Sequence, residues 1–388
     1  MENKKKFLTR AVHAGNKVDQ ETGAVIPPLH LTSTFEQESV GVNKGFDYSR
    51  AGNPTTKRYE ENIASLEDAD FAIAFSSGMA AITSLFQMLK NGNHVVIGRN
   101  TYGGTYRMTT QVLESHGFQF DFVDTRNIDE VESAIKPNTK IVFVETPTNP
   151  LLELCDIKEI SKVCKKHRIY LAVDNTFMSP YGQSPLQLGA DVIMHSATKY
   201  IGGHSDLISG VLITSDEVLA EKLYFIQKSG GAVPSPFDCW LLLRSTKTLG
   251  LRVQHQSDSA FELAKKLESH DEVKSIIYPG LESHEQHDLA TRQQLNPDGQ
   301  PIYGSMISII VSSIEKRDSF LKKIKLFTLA ESLGGVESLI SVPYDMTHVS
   351  IPSDVKKAMG LPRTLIRLSV GVENIEDLYS DLLQALED

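Results

Sequence analysis

The sequence predicts an α/β protein with a mainly parallel seven-stranded sheet and a smaller C-terminal α+β domain. Seven short apolar runs alternate with helical segments between residues 71 and 214, and strands joined through helices form parallel sheets covered on both faces. The pattern changes after about residue 235. A length of 388 residues also exceeds the usual size of one core, which favours a large domain and a smaller one.

Residues 1–58 are predicted to form an extended arm. Glycine and proline punctuate this stretch, and it carries little helical periodicity. We expect the arm to contact a neighbouring subunit.

The sheet domain is predicted over residues 59–235. Its strands are FAIAF (71–75), HVVIG (94–98), FQFDFV (118–123), KIVFVE (140–145), IYLAVD (169–174), DVIMHS (191–196) and ISGVLIT (208–214). Between the fourth and fifth runs, Ile157, Ile160 and Val163 recur at the spacing of one helical face, which predicts a crossover helix.

Residues 236–388 are predicted to form the second domain. A long helix, with apolar residues at every third position, leads into the strands GSMISIIV (304–311) and TLIRLSVG (364–371). The helical positions are Phe261, Ala264 and Leu267. An acidic segment, IEDLYSDLLQALED, closes the sequence.

Composition favours a small-molecule enzyme of the cytoplasm. The formal net charge of −10 argues against a broad nucleic-acid or anionic-lipid surface. No uncharged apolar run reaches membrane-spanning length, and no apolar segment follows the charged start, so we expect neither a membrane span nor a targeting segment. Cys155, Cys164 and Cys239 form no CxxC pair, and we expect buried free thiols.

Several common site signatures are missing from the sequence. It contains no GxGxxG, GxxxxGK[ST], GxSxG or HExxH pattern, so dinucleotide, P-loop, serine-hydrolase and zincin chemistry lack support. His284 and His287 have the spacing of a metal pair on a helix, but nearby residues supply no further ligand set. We expect them on a solvated face, and we expect no metal.

Ligands of open α/β sheets bind beyond the carboxyl ends of the strands, so the residues at these ends are the candidates for chemistry. Ser77, Gly78 and Met79 follow the first strand and open an apolar helix, whose free N–H groups could bind a phosphate. A purely structural glycine before the helix is an equally good interpretation. Tyr102 precedes two glycines after the second strand and could stack on an aromatic ring, or could be only a turn residue.

Two charged residues follow later strands. Asp174 could cap a helix or face a cationic ring nitrogen; opposite charges ~4 Å apart attract by about 4 kcal/mol at an effective dielectric of about 20. Lys199 could be a solvated turn lysine, but it follows a buried strand and is flanked by Ser196 and Thr198, whose hydroxyls could bind an anion. Aldehyde-binding lysine, ring-nitrogen carboxylate, ring-stacking tyrosine and phosphate site together indicate pyridoxal phosphate.

Seven motifs carry a resemblance to a known family. They are YSRAGNPT, FSSGMAAI, VETPTNPLLELCDI, AVDNTF, SATKYIGGHSD, LRSTKTLGLR and AESLGGVESLISVP. Together the motifs resemble the cystathionine γ-synthase/γ-lyase family of pyridoxal-phosphate enzymes, over essentially the whole chain. The resemblance implies the aspartate-aminotransferase-like fold (fold type I) and a homotetramer built as a dimer of dimers.

The resemblance also assigns cofactor-binding roles. Lys199 matches the Schiff-base lysine, Asp174 the pyridinium partner and Tyr102 the ring-stacking residue. The residues that match the phosphate site are Gly78, Met79, Ser196 and Thr198. Tyr48 and Arg50 match residues that a neighbouring subunit contributes to the same phosphate.

Substrate-binding positions follow from the same resemblance. Arg367 matches the residue that binds the substrate α-carboxylate, with Asn149 and Ser332 assisting. The residues that match the distal pocket of cystathionine-binding members are Asp47, Arg107 and Glu331. Methionine γ-lyases typically carry valine where Glu331 stands and cysteine where Gly104 stands, so methionine cleavage is disfavoured.

The chain departs from the family pattern at two places. Tyr344 and Asp345 stand where relatives usually carry small or apolar residues, and Asp47 replaces the commoner glutamate. Both departures affect the expected side-chain preference of the substrate site and leave the cofactor chemistry unchanged.

The implied activity is a carbon–sulfur lyase of transsulfuration, acting in cysteine and methionine metabolism. It is γ-elimination of cystathionine to cysteine, 2-oxobutyrate and ammonia, with Lys199 as the acid/base at the α and β carbons and Tyr102 assisting at the amine. The alternative is γ-synthase chemistry on O-succinyl- or O-acetylhomoserine with cysteine. β-Elimination or hydrogen-sulfide release could accompany either. More remote hypotheses are a cofactor-free α/β binding module and a tetrameric scaffold.

Overall fold

The computed structural model describes residues 5–349 and 351–387, and its amino-terminal part is only partly extended. The elements here are α1 (Phe7–His13), β1 (Gln37–Ser39), β2 (Val42–Asn43) and α2 (Pro54–Leu66). In α1, Phe7 and Ala11 lie one turn apart and are buried, and the Phe7 ring packs edge-on against Tyr181 at 5.4 Å. The prediction of extended structure is therefore wrong for residues 7–13, because this short apolar stripe docks on the core.

The predicted seven-stranded sheet is confirmed. Its strands are β3 (Phe71–Phe75), β4 (His94–Gly98), β5 (Gln119–Val123), β6 (Thr139–Glu145), β7 (Tyr170–Asp174), β8 (Val192–His195) and β9 (Gly210–Thr214). The strand order is β3-β9-β8-β7-β6-β4-β5. Strand β9 pairs antiparallel with both β3 and β8, and the other pairs are parallel, so the sheet is mainly parallel as expected.

Helices cover both faces of this sheet. They are α3 (Gly78–Gln87), α4 (Gly103–Met108), α5 (Ile128–Ser133), α6 (Ile157–His167), α7 (Ser179–Gly182) and α8 (Glu217–Gly230), with a π-helical turn at Thr109–Leu113 and a 3₁₀ turn at Glu114–His116. The predicted crossover helix is α6, and its buried face includes Ile157 and Ile160. On the opposite face, the rings of Phe86 and Phe143 pack edge-on at 5.7 Å.

The C-terminal part forms a separate five-stranded sheet with helices against it. Its elements are α9 (Pro236–Thr246), α10 (Leu249–Glu268), β10 (Val273–Ile277), α11 (His287–Gln293), β11 (Met306–Val311), α12 (Ile314–Lys323), β12 (Thr328–Leu329), β13 (Leu339–Ser341), α13 (Ser353–Ala358), β14 (Leu365–Ser369) and α14 (Ile375–Leu386). The strand order is β10-β11-β14-β13-β12. The acidic closing segment is helix α14, in which Leu378 and Leu382 are fully buried.

The carboxyl ends of the central strands place charged residues together. Glu145 at the end of β6 is directly paired with Asp174 at the end of β7, and Asp174 is paired in turn with Met194 of β8. Arg367 of β14 reaches this edge from the second sheet and donates from Nη1 to Asn149 Oδ1 at 2.8 Å. The candidate site therefore lies where the two sheets meet.

Three further expectations concern cysteine, histidine and membrane segments. All three cysteines are free and buried, as expected. His284 and His287 are half-buried, and the His287 ring stacks on Tyr303 with ring centres 5.7 Å apart, so the expected solvated face is in fact only partly exposed. Within the described ranges, no helix is both long and apolar enough to cross a bilayer, and no group of three potential metal ligands is found.

Candidate active site

Lys199 lies in the turn that follows β8, and its side chain is largely buried. The Nζ atom donates a hydrogen bond to Ser332 Oγ at 3.1 Å, which joins the two sheets. Burial, and secondarily the positive charge of Arg367, lower the Lys199 pKa to about 8, while Glu331 opposes the shift. Roughly a tenth of this amine is therefore neutral at pH 7, far more than for an ordinary lysine, and only the neutral amine attacks an aldehyde.

Asp174 is a buried carboxylate with one oxygen available. Its Oδ1 accepts hydrogen bonds from the backbone N–H of Thr176, at 3.0 Å, and from the Thr176 hydroxyl. Within residues 5–349 and 351–387, no donor reaches Oδ2. Burial raises the Asp174 pKa, and the hydrogen bonds from Thr176 oppose that shift. A cationic ring nitrogen at Oδ2 would supply the compensating charge that this site lacks.

Tyr102 precedes α4, and its ring lies over Gly104. A Cβ atom built at Gly104 would lie 2.4 Å from Tyr102 Cε1 and 2.8 Å from Met79 Sδ. The Tyr102 backbone N–H donates to Glu145 Oε2 at 2.9 Å, which fixes the start of the helix. Glycine at position 104 is therefore required for this placement of the tyrosine ring and Met79.

The predicted phosphate site is assembled from two elements. A Cβ atom at Gly78, the first residue of α3, would lie 3.0 Å from Ser196 Cβ, so the helix start and the turn after β8 are in direct contact. The Thr198 hydroxyl donates to Ser209 O at 3.1 Å and accepts from Ser209 N–H at 3.0 Å. Its proton would have to rotate away from Ser209 to reach an anion.

Arg367 is 2% exposed and is held by both sheets. Nη1 donates to Asn149 Oδ1 at 2.8 Å and Nη2 to Ser332 O at 2.9 Å. Nε is buried and has no partner among the described residues. Burial lowers the Arg367 pKa to about 10. A guanidinium with a spare buried N–H fits a carboxylate ligand, which accepts more than one hydrogen bond.

Three of the remaining predicted residues make no polar contact with this cluster. Asp47, Tyr48 and Arg50 are exposed; Arg50 Nη1 donates to Lys228 O at 2.7 Å, and its Cζ lies 5.4 Å from the Tyr48 ring centre. Within the part of the chain that is described, no hydrogen bond or ion pair joins these three residues to Lys199, Asp174 or Arg367. These three residues are therefore not bonded to the site of their own chain. Arg107 and Glu331 are also exposed.

Sequence reasoning missed two buried residues of the site. Glu145 accepts from Tyr102 N–H through Oε2 and from Asn149 N–H through Oε1, at 2.9 and 3.1 Å. Burial, and then the nearby charge of Asp174, raise the Glu145 pKa. His348 contacts the Asn149 carbonyl at 3.1 Å. Glu145 could have been found by the strand-end rule that found Asp174. For His348 the only signal in the sequence is its place near the two unusual residues Tyr344 and Asp345.

Comparison with known proteins identifies the family. The model described as "Cys/Met metabolism PLP-dependent enzyme" matches residues 8–387. The chain belongs to this family. A cystathionine gamma-lyase of Dictyostelium discoideum is 49% identical over 387 residues, covering 99% of this chain and 98% of that relative. A cystathionine beta-lyase of Lactococcus lactis subsp. cremoris is 46% identical, covering 98% of each chain.

A solved structure supports the same assignment. Cystathionine gamma-lyase from Lactobacillus plantarum, complexed with L-serine, superposes with a TM-score of 0.95 at 42% identity and covers 98% of both chains. The resemblance drawn from the sequence motifs and the expected fold type I are thereby confirmed.

The residues at the site fit pyridoxal phosphate, on which Cys/Met metabolism PLP-dependent enzymes rely. Lys199 would attach its aldehyde, Asp174 Oδ2 would face its ring nitrogen and the Gly78–Ser196 contact would receive its phosphate. When bound, this group withdraws electrons from the bonds at the substrate α carbon.

The Lys199 pKa predicts the pH dependence of cofactor uptake. In apoprotein, the uptake rate should rise as the pH increases through about 8, because the amine becomes neutral there. Glu331→Gln should move the midpoint to lower pH, since Glu331 favours the protonated amine. The measurement is the initial absorbance change on adding pyridoxal phosphate, with Lys199→Ala as background. A midpoint at the ordinary lysine value, about 10.4, would contradict the prediction.

The close contact of the Tyr102 ring with Gly104 predicts that a side chain at position 104 lowers activity. Gly104→Ala should lower kcat/KM by at least about tenfold, because the new methyl group displaces the tyrosine ring or Met79. Gly230→Ala is the matched control, since Gly230 is also helical and a Cβ there meets nothing within 4 Å. Steady-state kinetics and far-ultraviolet circular dichroism of both variants check this; equal activity of Gly104→Ala and wild type would refute it.

Proposed function

We propose that the chain is a cystathionine γ-lyase, which releases cysteine, 2-oxobutyrate and ammonia. The observation that carries this proposal is the acidic group beside the carboxylate site: Glu331 is close enough to raise the pKa of both Lys199 and Arg367. Cystathionine carries a second ammonium group at its far end, and an exposed carboxylate there suits it. Relatives named cystathionine gamma-lyase that are 47–49% identical over nearly the full length support the same activity.

The substrate α-carboxylate would bind Arg367. Asn149 Oδ1 and Ser332 O hold the guanidinium in place, and the buried Nε–H remains available. Because Arg367 would hold the carboxylate at a fixed place, the α carbon would be presented to Lys199 Nζ. Lys199 and Arg367 lie near each other, since both donate hydrogen bonds to Ser332.

Lys199 would carry the proton transfers. A pKa of about 8 allows the amine to take the proton from the α carbon and, after releasing it, to take a proton from the β carbon as the carbon–sulfur bond at the γ carbon breaks. The protonated amine would then supply a proton to the departing sulfur. The Tyr102 hydroxyl would assist at the substrate amine. Ser332 Oγ would keep the lysine amine aligned between transfers by accepting its hydrogen bond.

The distal substrate group would meet Asp47, Arg107 and Glu331. A charged pocket of this kind disfavours methionine, whose thioether ends in an uncharged methyl group. Asp47 would reach the site only from a neighbouring subunit, as would Tyr48 and Arg50 at the phosphate.

A second candidate is β-elimination of the same substrate, which would release homocysteine, pyruvate and ammonia. It is favoured by the cystathionine beta-lyase of Lactococcus lactis subsp. cremoris at 46% identity. γ-Synthase chemistry on an activated homoserine with cysteine remains the alternative from the sequence motifs.

The quaternary structure we propose is a homotetramer, a dimer of dimers, in the cytoplasm. The arm exposes apolar side chains, with Val25 74%, Leu31 68% and Val40 fully exposed, and a second copy would cover them. We also propose the division into residues 1–58, 59–235 and 236–388. It is supported by apolar clusters confined to residues 71–232 and 260–386, although another cluster bridges these parts.

The proposed cytoplasmic location agrees with the three free, buried thiols, which suit a reducing compartment.

Product analysis tests the activity. With cystathionine alone, cysteine and 2-oxobutyrate should form in equal amounts and faster than homocysteine and pyruvate. Lys199→Ala should lower the rate by at least ~10²-fold, as expected for loss of the acid/base. In a separate reaction, O-succinyl- or O-acetylhomoserine is supplied with cysteine. Turnover only of the ester would establish the synthase instead, and pyruvate as the main keto acid would establish β-elimination.

Complementation tests the shared site. Arg50→Ala and Lys199→Ala should each be weakly active alone, but co-expressed they should recover about a quarter of wild-type activity, because half of randomly formed dimers carry one intact site of two. Two variants at Lys199, co-expressed as a control, should recover nothing. Absence of recovery in mixed oligomers confirmed by mass spectrometry would show that Arg50 does not serve the neighbouring subunit.

A further inference from the structure

A segment of residues 343–349 connects β13 towards α13 and packs on the carboxylate site. The carbonyl oxygen of Thr347 lies 2.8 Å from the position that a Gly103 Cβ would take, so the segment touches the start of α4. His348 is completely buried, and its Nε2 lies 3.1 Å from the carbonyl oxygen of Asn149. The segment is thus in direct contact with a residue that holds Arg367.

The hydrogen bonds of His348 define its tautomer. A carbonyl oxygen can only accept, so Nε2 carries the proton that Asn149 O receives. The Thr347 hydroxyl, 2.8 Å from Nδ1, then donates to the other ring nitrogen. Burial, and secondarily the charge of Arg367, lower the His348 pKa to about 4, so the ring stays a neutral donor at physiological pH.

Asn149 is held through three of its polar groups. Its N–H donates to Glu145 Oε1, its carbonyl accepts from His348, and its Oδ1 accepts from Arg367. The position of its side-chain amide therefore depends on the two contacts that hold its backbone, with Glu145 and with His348. Without the His348 contact, the carbonyl of Asn149 would be buried without its side-chain donor.

The two residues that depart from the family pattern anchor the segment. Asp345 Oδ2 forms an ion pair with Arg317 Nη1 at 2.8 Å, and the same Nη1 donates to Arg363 O at 2.7 Å. The Tyr344 ring lies 4.4 Å from Lys356 Nζ and 5.3 Å from Arg363 Cζ. These contacts tie the segment to α12, to α13 and to the turn that leads into β14, the strand of Arg367.

We propose that His348 is a positioning residue for the substrate-carboxylate site, and that Tyr344 and Asp345 anchor it there. His348 holds Asn149, Asn149 orients Arg367, and Arg367 binds the α-carboxylate. The inference rests on the proposed function only in that the substrate is an α-amino acid. It assigns to the departures at 344 and 345 a role in substrate affinity rather than in the chemical step.

The experiment compares two substitutions of His348 in the holoenzyme. His348→Leu removes the donor to Asn149 and should raise the KM for cystathionine about tenfold, the loss expected for one buried hydrogen bond, with kcat changed less than about threefold. His348→Gln keeps an N–H donor and should stay within about threefold of wild type in both constants. Equal KM values for His348→Leu and wild type, or equal defects in both variants, would overturn the proposal.

The anchor is tested in the same way. Asp345→Asn should raise KM about threefold in the wild-type chain but should add little to Arg317→Met, because that variant has already lost the ion pair. Asp354→Asn is the matched control, since Asp354 is an exposed acid of α13 that takes part in none of the contacts described above. If Asp345→Asn behaves like this control, the anchoring role is wrong.

A binding measurement separates this inference from the proposed activity. L-Norvaline has an α-carboxylate and an unreactive side chain, and butylamine is the same molecule without the carboxylate. Each ligand is titrated into the holoenzyme, and the change in cofactor absorbance gives its Kd. His348→Leu should weaken norvaline binding about tenfold and leave butylamine binding unchanged. An equal effect on both ligands would indicate a merely structural role. A wild type that fails to cleave cystathionine would refute the proposed activity, and this titration would still decide the role of His348.

If His348→Leu does not fold, Thr347→Val takes its place, because it removes the hydroxyl donor to Nδ1. It should likewise weaken norvaline binding and leave butylamine binding unchanged.

Discussion

The guanidinium of Arg367 is a charge buried between two sheets, and the rest of the site is arranged around it. A buried cation is strongly destabilising unless donors and acceptors are matched. Its partners come from both sides: Asn149 follows β6 of the large sheet, and Ser332 precedes β13 of the small one. The hydrogen bonds that satisfy this one group therefore join the two sheets, as does the hydrogen bond from Lys199 to Ser332.

Burial has the largest effect on the protonation of the neighbouring groups, and the same charge adds to it. It contributes to the low pKa of Lys199 and of His348, and it opposes the raised pKa of Glu145. At neutral pH the imidazole is consequently neutral, and a minor part of the amine is neutral as well. Binding of a carboxylate to Arg367 would offset this charge and so favour protonated Lys199, which couples occupancy of the carboxylate site to the state of the acid/base.

Local sequence patterns predicted the frame of the site and not its connections. The alternation of apolar runs gave all seven strands of the sheet, and the strand-end rule then pointed to Tyr102, Asp174 and Lys199. The hydrogen bond between His348 and Asn149 joins residues 199 positions apart, in two loops without periodicity, so no local pattern could report it. The short helix Phe7–His13 was missed because its stability comes from docking rather than from its own length.

Burial makes the three cysteines unreactive towards disulfides. Cys155, Cys164 and Cys239 are buried, and burial raises the pKa of each thiol to about 12. Exchange with a disulfide requires an accessible thiolate. None of these three cysteines thus offers a reactive thiolate, and a lyase that releases cysteine would be protected from forming mixed disulfides with oxidised forms of its own product.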